Sequence, residues 1–302
     1  PTRIRVKGKN GSGKSTLLRA LLGIVSADLH ITGSLSLTAR AAYLDQNYEL
    51  LNNAESVLGP LIKGQRDNIV LTTKFGFPFD GGAPDNSRGF ILRQLEGSLE
   101  RLGTDWVDIY MIHIPDEGTP LDETLRALDD IVTSGKARYI AVSNMAPWRV
   151  VEADWVAKEL RTHGFICSQN EYSLLQREPE KELIPALSHR GMTLNPYFPL
   201  ASGMLTGKYL EGGEGRLKDN FLGLGNMFLT ERNHAIVRRL DTYAKERGHS
   251  LIELAMSWLA CQPAVAGIIA GATKPEQVAQ NVMAASWKMS ADELSEIAAI
   301  TA

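Results

Sequence analysis

Short apolar runs alternate with amphipathic stretches after residue 65, and this alternation limits the possible fold more than any other feature. Apolar strands separated by helices are typical of a parallel sheet covered by helices. The predicted strands lie at 68–74, 107–113, 138–143, 165–171, 192–198 and 265–271. The predicted helices lie near 54–64, 87–101, 121–134, 147–161, 179–188 and 229–260. With two candidate strands before residue 65, within 3–8 and 33–46, the pattern predicts a closed (β/α)₈ barrel of the TIM type.

Polar side chains of catalytic type stand at the carboxyl ends of five of these strands. A parallel barrel gathers its chemistry at that edge, although any one such lysine or histidine is more often structural. Five of them in one topological position favour a site over coincidence. The residues are Lys74, His113, Ser143 with Asn144, Gln169 and Tyr197.

Bulk composition excludes several other classes of protein. The net charge of −3 over 302 residues is too small to indicate a nucleic-acid or anionic-membrane partner. The two cysteines, Cys167 and Cys261, form neither a disulfide framework nor a metal-ligand spacing, so a reducing cytoplasm and no metal are expected. The first ten residues have no apolar core typical of a signal peptide. The apolar region at 251–272 is interrupted by polar residues and predicts a helix and a strand, not a membrane span. The sequence leaves the oligomeric state open.

Six ordered motifs resemble those of the aldo-keto reductases over about residues 55–302. They read IVLTTKFG, LGTDWVDIYMIHIPD, GKARYIAVSNMAPW, SQNEYSLLQR, PYFPLASGMLTGKY and GIIAGATKPEQVAQN. The resemblance implies a (β/α)₈ barrel that binds NADPH in an extended pose and reduces small aldehydes and ketones. The carbonyl substrate itself is not identified by these motifs.

The resemblance also implies a role for individual residues. Lys74 matches the family's catalytic lysine, which is held by an aspartate and lowers the pKa of a tyrosine proton donor. His113 matches the catalytic histidine, which positions the carbonyl oxygen. Ser143, Asn144 and Gln169 match residues that contact the nicotinamide carboxamide, and Tyr197 matches the aromatic residue that stacks on the ring. The remaining cofactor positions are those of the pyrophosphate loop and the adenosine end: Leu200, Gly203, Leu205, Gly271, Thr273, Lys274, Gln277 and Asn281.

The segment that should carry the aspartate and tyrosine departs from the family pattern. The family has a sequence near D-T-A-x-x-Y-G, whereas this chain reads YLDQNYELLNN, with Asp45 and Tyr48 only three residues apart. Two missing residues would move a side chain by several Å, roughly two steps of about 3.5 Å along the chain. Asp45 and Tyr48 are therefore the candidates for the two roles, and the departure predicts impaired activity.

The first 53 residues resemble the opening of an ABC-type ATPase domain. GKNGSGKST fits the phosphate-binding pattern G-x-x-x-x-G-K-[ST], with Gly8, Gly11, Gly13, Lys14, Ser15 and Thr16 as the matching residues. Backbone N–H groups of such a loop cradle phosphate, the lysine bridges its oxygens and the serine holds Mg²⁺. No L-S-G-G-Q signature or acidic partner follows in the sequence, so at most weak ATP and Mg²⁺ binding is expected.

Taken together, the two resemblances predict a chimera. An ATPase-like strand, P-loop, helix and strand at 1–53 would replace the first two βα units of a reductase barrel at 54–302. An open six-stranded barrel with exposed edges is the alternative outcome of such a junction. The alternatives to a reductase are an ATP-binding module and a catalytically inactive protein.

Overall fold

A computed structural model of the protein describes residues 51–78, 82–215, 217–220, 223–272 and 275–302, with the backbone alone at 51–53. The chain divides into two compact units, Pro1–Gly64 with Arg101–Gly103 and Gln65–Glu100 with Thr104–Ala302. The P-loop, Asp45 and Tyr48 lie outside the described residues.

The larger unit contains a parallel sheet of five strands in sequential order. Its strands are β1 (Thr72–Phe75), β2 (Val107–Ile112), β3 (Ala137–Ser143), β4 (Phe165–Gln169) and β5 (Thr193–Leu194). The helices of the described chain, the first in the smaller unit, are α1 (Leu51–Ile62), α2 (Arg88–Leu102), α3 (Leu121–Thr133), α4 (Pro147–Leu160), α5 (Leu183–His189), α6 (Leu224–Phe228), α7 (Glu231–Glu246), α8 (Leu251–Ala260), α9 (Pro275–Met283) and α10 (Ala291–Thr301). Short 3₁₀ helices cover Arg66–Asn68, Glu178–Glu180 and Ala201–Thr206. Parallel strands in sequential order with helices between them confirm the predicted α/β class and are consistent with the barrel.

The two faces of the sheet bury different sets of side chains, because side chains alternate along a strand. On one face, Met111, Ala141 and Cys167 form a buried cluster across β2, β3 and β4. Lys74 pairs in register with Met111 and therefore lies beside this cluster. Two residues further along, the same face carries the polar residues of the predicted site. The sheet register therefore builds an apolar layer beneath a polar edge.

The opposite face of the sheet packs against helices. Tyr110 of β2 is completely buried, and its hydroxyl donates a hydrogen bond of 3.0 Å to the carbonyl oxygen of Ile91 in α2. Its ring stacks on Phe75 of β1 with the ring centroids 4.6 Å apart. Complete burial of a tyrosine is tolerated here because its hydroxyl has a partner. This packing fixes β1, which carries Lys74, and β2, which ends just before His113.

Four of the six strands predicted after residue 65 are confirmed as β1 to β4, although β1 begins only at Thr72, and the last two are shorter than predicted. In place of 192–198 the sheet has β5 at Thr193–Leu194, followed by Pro196, which has no N–H for a ladder, and an isolated bridge at Tyr197. In place of 265–271 only Val265 and Ile269 form bridges, to Leu194 and Tyr197. The two strands predicted before residue 65, which would close the ring, lie outside the described residues. The P-loop segment predicted to replace the first two βα units lies outside them as well.

The helical stretch predicted near 229–260 is confirmed as helical, but it is divided into two helices. The chain forms α7 and α8, separated by Gly248 with φ of +77°. Ser250 begins α8 with a capping box, in which its side chain and that of Glu253 each accept a backbone N–H. The R-G-H-S sequence is therefore a helix stop followed by a helix start.

The described part of the smaller unit consists of residues 51–64, which include α1, and residues 101–103. The predicted helix at 54–64 is confirmed by α1, which accommodates Pro60 in its last turn. Glu55 forms a salt bridge of 2.7 Å with Arg101. Gly59 lies so close to the chain that a Cβ there would be 2.6 Å from the carbonyl oxygen of Leu102. Any larger residue at position 59 would force α1 and residues 101–103 apart.

Candidate active site

The predicted site residues come together at the carboxyl edge of the sheet. Lys74 lies in β1, and the N–H of His113, just after β2, donates a 2.7 Å hydrogen bond to the carbonyl oxygen of Phe75. Ser143 ends β3 and pairs in register with Gln169, the last residue of β4. Tyr197 pairs with Glu171 through an isolated parallel bridge. Five neighbouring strand ends therefore supply one row of functional side chains.

Asn144 connects three of these strand ends. Its Nδ2 donates to the carbonyl oxygen of His113 at 3.0 Å and to Ser143 Oγ at 3.1 Å. Its Oδ1 accepts a 3.0 Å hydrogen bond from the Tyr197 hydroxyl. Its φ of +58° lies in the left-handed region, which asparagine tolerates better than most residues. The structure thus adds to Asn144 a positioning role that sequence reasoning missed.

Ser143 and Gln169 complete this hydrogen-bond network. The Ser143 hydroxyl donates a 2.7 Å hydrogen bond to the carbonyl oxygen of Gln169, and the N–H of Asn144 donates to the same oxygen at 3.2 Å. Both Ser143 and Gln169 are buried, at 1% and 6% exposure. The ends of β3 and β4 are held rigidly, as a preorganised site requires.

Lys74 and His113 interact electrostatically in a partly desolvated environment. Burial lowers the pKa of Lys74 to about 8. Burial, together with the charge of Lys74, lowers the pKa of His113 to about 4. The Phe77 ring lies against the imidazole, with centroids 5.0 Å apart. At neutral pH the pair is therefore a lysine that is mostly charged and an imidazole that is uncharged.

Glu171 is a site residue that sequence reasoning missed. Burial raises the pKa of its carboxyl group, and its Oε1 is buried with no hydrogen-bond partner within the described part of the chain. Burial and the nearby Glu171 carboxylate both raise the pKa of Tyr197. The only sequence signal was its position two residues after Gln169, on the same side of an extended chain. An unsatisfied acceptor of this kind is suited to a ligand that donates a hydrogen bond.

The predicted pyrophosphate loop has a strained backbone. Ala201, Ser202 and Gly203 follow one another with φ of +46°, +53° and +97°. Only glycine adopts such values without cost, so the two non-glycine residues Ala201 and Ser202 make this turn a strained one. Leu200 is half-buried and directly precedes this turn, whereas the side chain of Leu205 is completely buried. Any contact of residue 205 with a ligand would therefore involve its backbone.

The predicted adenosine-binding residues lie within α9 and just before it. Asn281 Nδ2 donates a 3.5 Å hydrogen bond to the carbonyl oxygen of Gly271, and Gln277 is half-buried. Thr273 and Lys274 lie outside the described residues. Asn281 also lines a cavity of about 430 Å³ between α8, α9 and residues 265–272. The cavity does not include Lys74 or His113 in its lining.

Two other features of the described chain bear on function. Within the described ranges, no group of histidine, cysteine or acidic side chains has the arrangement of a metal site. The helices of the same ranges include none that is both long and apolar enough to span a bilayer.

Comparison with known proteins identifies one family over most of the chain. Residues 43–302 match the model of the aldo/keto reductase family. The chain is 37% identical over 243 residues to a probable voltage-gated potassium channel subunit beta of Oryza sativa subsp. japonica, which covers 76% of this chain and 73% of that protein.

Two relatives are named as reductases. The chain is 34% identical over 274 residues to the L-glyceraldehyde 3-phosphate reductase of Escherichia coli (strain K12), covering 83% of this chain and 78% of that protein. It is 31% identical over 267 residues to the versiconal hemiacetal acetate reductase of Aspergillus parasiticus, covering 80% and 77%. The family match includes Asp45 and Tyr48, whereas the ATPase resemblance of the first 53 residues gains no support from these matches.

Proposed function

Because the chain belongs to the aldo/keto reductase family, we propose that it transfers hydride from NADPH to small aldehydes and ketones. The observation that carries this proposal is the row of Lys74, His113, Asn144, Gln169 and Tyr197 along one edge of the parallel sheet. Two of the relatives, described as reductases, support the same class of reaction.

His113 would position the carbonyl oxygen of the substrate. An imidazole with its pKa lowered to about 4 is neutral at pH 7 and donates one N–H without carrying a charge. The hydrogen bond becomes stronger as negative charge develops on that oxygen, which stabilises the transition state. The Lys74 ammonium, next to His113, would add electrostatic stabilisation of the same charge.

NADPH would supply the hydride, and this chain's residues fit its nicotinamide end. The Tyr197 ring, anchored through its hydroxyl to Asn144, offers a flat apolar surface for stacking. Glu171 Oε1 is a buried acceptor without a partner in the described chain, and an amide NH₂ group would satisfy it. The strained turn at 201–203 and Asn281 are the proposed positions for the pyrophosphate and the adenosine end. Lys74 lies on the same face of the sheet as Met111, beneath this edge.

In the family pattern a tyrosine donates the proton that reaches the substrate oxygen and an aspartate orients the lysine. Tyr48 and Asp45 are the candidates for these roles, with the changed spacing expected to displace Asp45 from Lys74. Their separation of three residues differs from the five of the family pattern, so we propose that the activity is impaired. Loss of a positioned general acid costs roughly 10²–10⁴-fold in rate.

Loss of NADPH absorbance in the presence of a reactive aldehyde tests this proposal. We expect turnover that is measurable, slow and abolished in Tyr48→Phe. Turnover retained in Tyr48→Phe would show that another group is the acid, and no turnover at any aldehyde concentration would contradict the reductase proposal. A location in the reducing cytoplasm remains a prediction from the two cysteines, both free in the structure.

The P-loop pattern of residues 8–16 supports a second candidate function, binding of ATP and Mg²⁺. Calorimetric titration with MgATP separates this candidate from the reductase. Saturable binding that is lost in Lys14→Ala would establish the nucleotide site. Heat changes no larger than those of buffer at millimolar ATP would exclude it and leave the P-loop pattern as a strand, turn and helix.

A further inference from the structure

We propose that Asn86 is a positioning residue of the candidate active site, which fixes the backbone that carries His113. This role rests on the proposed function, in which His113 positions the substrate carbonyl, and it brings in a residue from the loop between β1 and α2. Three observations support it: the complete pairing of the buried Asn86, the hydrogen bonds that hold residues 113–114, and the close approach of Asn86 to Gly76.

Every polar group of Asn86 forms a hydrogen bond. Its Nδ2 donates a 3.3 Å hydrogen bond to the carbonyl oxygen of Ile114. Its N–H donates to Asp116 Oδ2 at 3.3 Å, and its Oδ1 accepts a 2.8 Å hydrogen bond from the N–H of Asp116. Its carbonyl oxygen accepts a 3.0 Å hydrogen bond from Thr124 Oγ1 in α3. At 3% exposure, Asn86 is therefore a buried link between the loops that follow β1 and β2.

The backbone of His113 is held through three consecutive peptide units. Its N–H donates to the carbonyl oxygen of Phe75 at 2.7 Å, and its carbonyl oxygen accepts a 3.0 Å hydrogen bond from Asn144 Nδ2. The carbonyl oxygen of Ile114, in the next unit, accepts from Asn86. Because each peptide unit is planar, these contacts fix the backbone dihedral angles of His113 and Ile114. The direction in which the imidazole leaves the chain is fixed with them.

Asp116 anchors the far end of the same loop. Its Oδ1 accepts a 2.7 Å hydrogen bond from the N–H of Gly118, and its Oδ2 accepts one from Thr119 Oγ1. Its carbonyl oxygen accepts a 2.9 Å hydrogen bond from Arg149 Nη2 in α4. The pair of Asn86 and Asp116 is therefore tied to α4 as well as to α3. A polar network whose members are all paired holds its geometry more rigidly than a single hydrogen bond does.

Asn86 also lies against the segment that carries Phe77. A Cβ at Gly76, which has φ of +86°, would be 2.6 Å from Asn86 Nδ2. The next residue, Phe77, packs on the imidazole of His113 with the ring centroids 5.0 Å apart. The Asn86 side chain therefore supports both the backbone that carries the imidazole and the segment whose ring packs against it.

Truncation of Asn86 to alanine removes two side-chain hydrogen bonds, those to the Ile114 carbonyl oxygen and from the Asp116 N–H. A displacement of a catalytic group by about 1 Å costs on the order of 10²-fold in rate. We therefore expect kcat to fall by about 10–100-fold. The dissociation constant of NADPH should change by less than about twofold, because Ser143 and Gln169 are joined by their own hydrogen bond between β3 and β4.

Histidine NMR on the full chain tests the positioning role without depending on turnover. The His113 ring signals are assigned among the six histidines by their loss in His113→Gln. In Asn86→Ala we expect these signals to shift and the pKa of the imidazole to rise from about 4 towards about 6.5, because the loosened ring reaches water.

Asn233→Ala is the matched control for this comparison. Asn233 in α7 is also buried, and its Nδ2 donates a 3.0 Å hydrogen bond to the carbonyl oxygen of Phe228. Its truncation should lower the urea midpoint about as much as Asn86→Ala and leave the His113 signals unchanged. His113 signals that are the same in wild type and Asn86→Ala, or that change equally in Asn233→Ala, would overturn the proposal.

Oxidation of NADPH with propionaldehyde gives the second measurement. We expect the fall in kcat in Asn86→Ala and a kcat within about twofold of the wild type in Asn233→Ala. Wild-type protein without turnover would contradict the reductase proposal, and the NMR comparison would still decide the role of Asn86. If Asn86→Ala does not fold, Asn86→Ser takes its place, because serine keeps a hydroxyl acceptor for the N–H of Asp116 and lacks the amide donor to Ile114.

Discussion

Replacing Lys74 by methionine is expected to make the folded protein more stable at neutral pH while removing its activity. The pKa of Lys74 falls from 10.5 to about 8 because burial disfavours the charged form. A tenfold change in proton affinity is worth about 1.4 kcal/mol, so burial of this ammonium costs about 3.5 kcal/mol at most. A residue of similar length without a charge removes that cost.

The expected gain has a characteristic pH dependence. The unfolded lysine binds its proton more tightly than the folded one, so the cost is complete below pH 8 and disappears as the pH rises to 10.5. Urea unfolding of the wild type and Lys74→Met at pH 7 and pH 9.5 measures it. The difference should be about 2–3 kcal/mol at pH 7 and smaller at pH 9.5.

Lys181→Met is the matched control for this experiment. Lys181 is 72% exposed and forms a surface salt bridge with Glu178, so its replacement should change stability by less than about 1 kcal/mol at either pH. A Lys74→Met protein that is less stable than the wild type at pH 7 would refute the reasoning. It would show that a carboxylate, Asp45 being the candidate, holds the ammonium in the folded state.

Three further predictions concern the same edge. Asn144→Ala should lower the free energy of unfolding by about 1–3 kcal/mol in urea, because three side-chain hydrogen bonds are lost. Asn144→Gly tolerates the left-handed φ and should recover only part of this lost stability. Glu171→Gln should be more stable than the wild type at pH 7 and equal to it near pH 4. Burial raises the pKa of the Glu171 carboxyl in the folded state, so the wild-type protein loses stability as the pH rises from the unfolded pKa to the folded one. Equal stability of the two proteins at both pH values would contradict the burial of this carboxyl. The NMR signals of the His113 ring should not titrate between pH 5.5 and 8, since its pKa is about 4; a midpoint near 6.5 would show a solvated imidazole.

The alternation of strands and helices after residue 65 could be predicted because buried parallel strands are short apolar runs between amphipathic helices. Their ends were harder to place. Pro196 interrupts the pairing of β5, and Gly248 divides one apolar periodic stretch into two helices. α10 begins with the capping box of Ser290 and Glu293, a signal that is visible in the sequence.

The candidate site could be predicted in part. Lys74 and His113 follow apolar strands, and strand ends meet at one edge of a parallel sheet. The linking role of Asn144 could not be predicted, because it depends on a left-handed φ and on contacts with residues 31 and 53 positions away. The burial of Glu171 depends in the same way on its pairing with Tyr197, which only the sheet register establishes.

Titration of the protein with NADPH, followed by the quenching of its tryptophan fluorescence, tests the central claim most directly. The account predicts saturable binding of one NADPH per chain that weakens at least tenfold in Tyr197→Ala, because the stacking surface tied to Asn144 is lost. Trp155→Ala, a change at an exposed position on α4, should leave the affinity unchanged. Absence of saturable NADPH binding, or equal affinity in wild type and Tyr197→Ala, would contradict the assignment of this edge as the cofactor site.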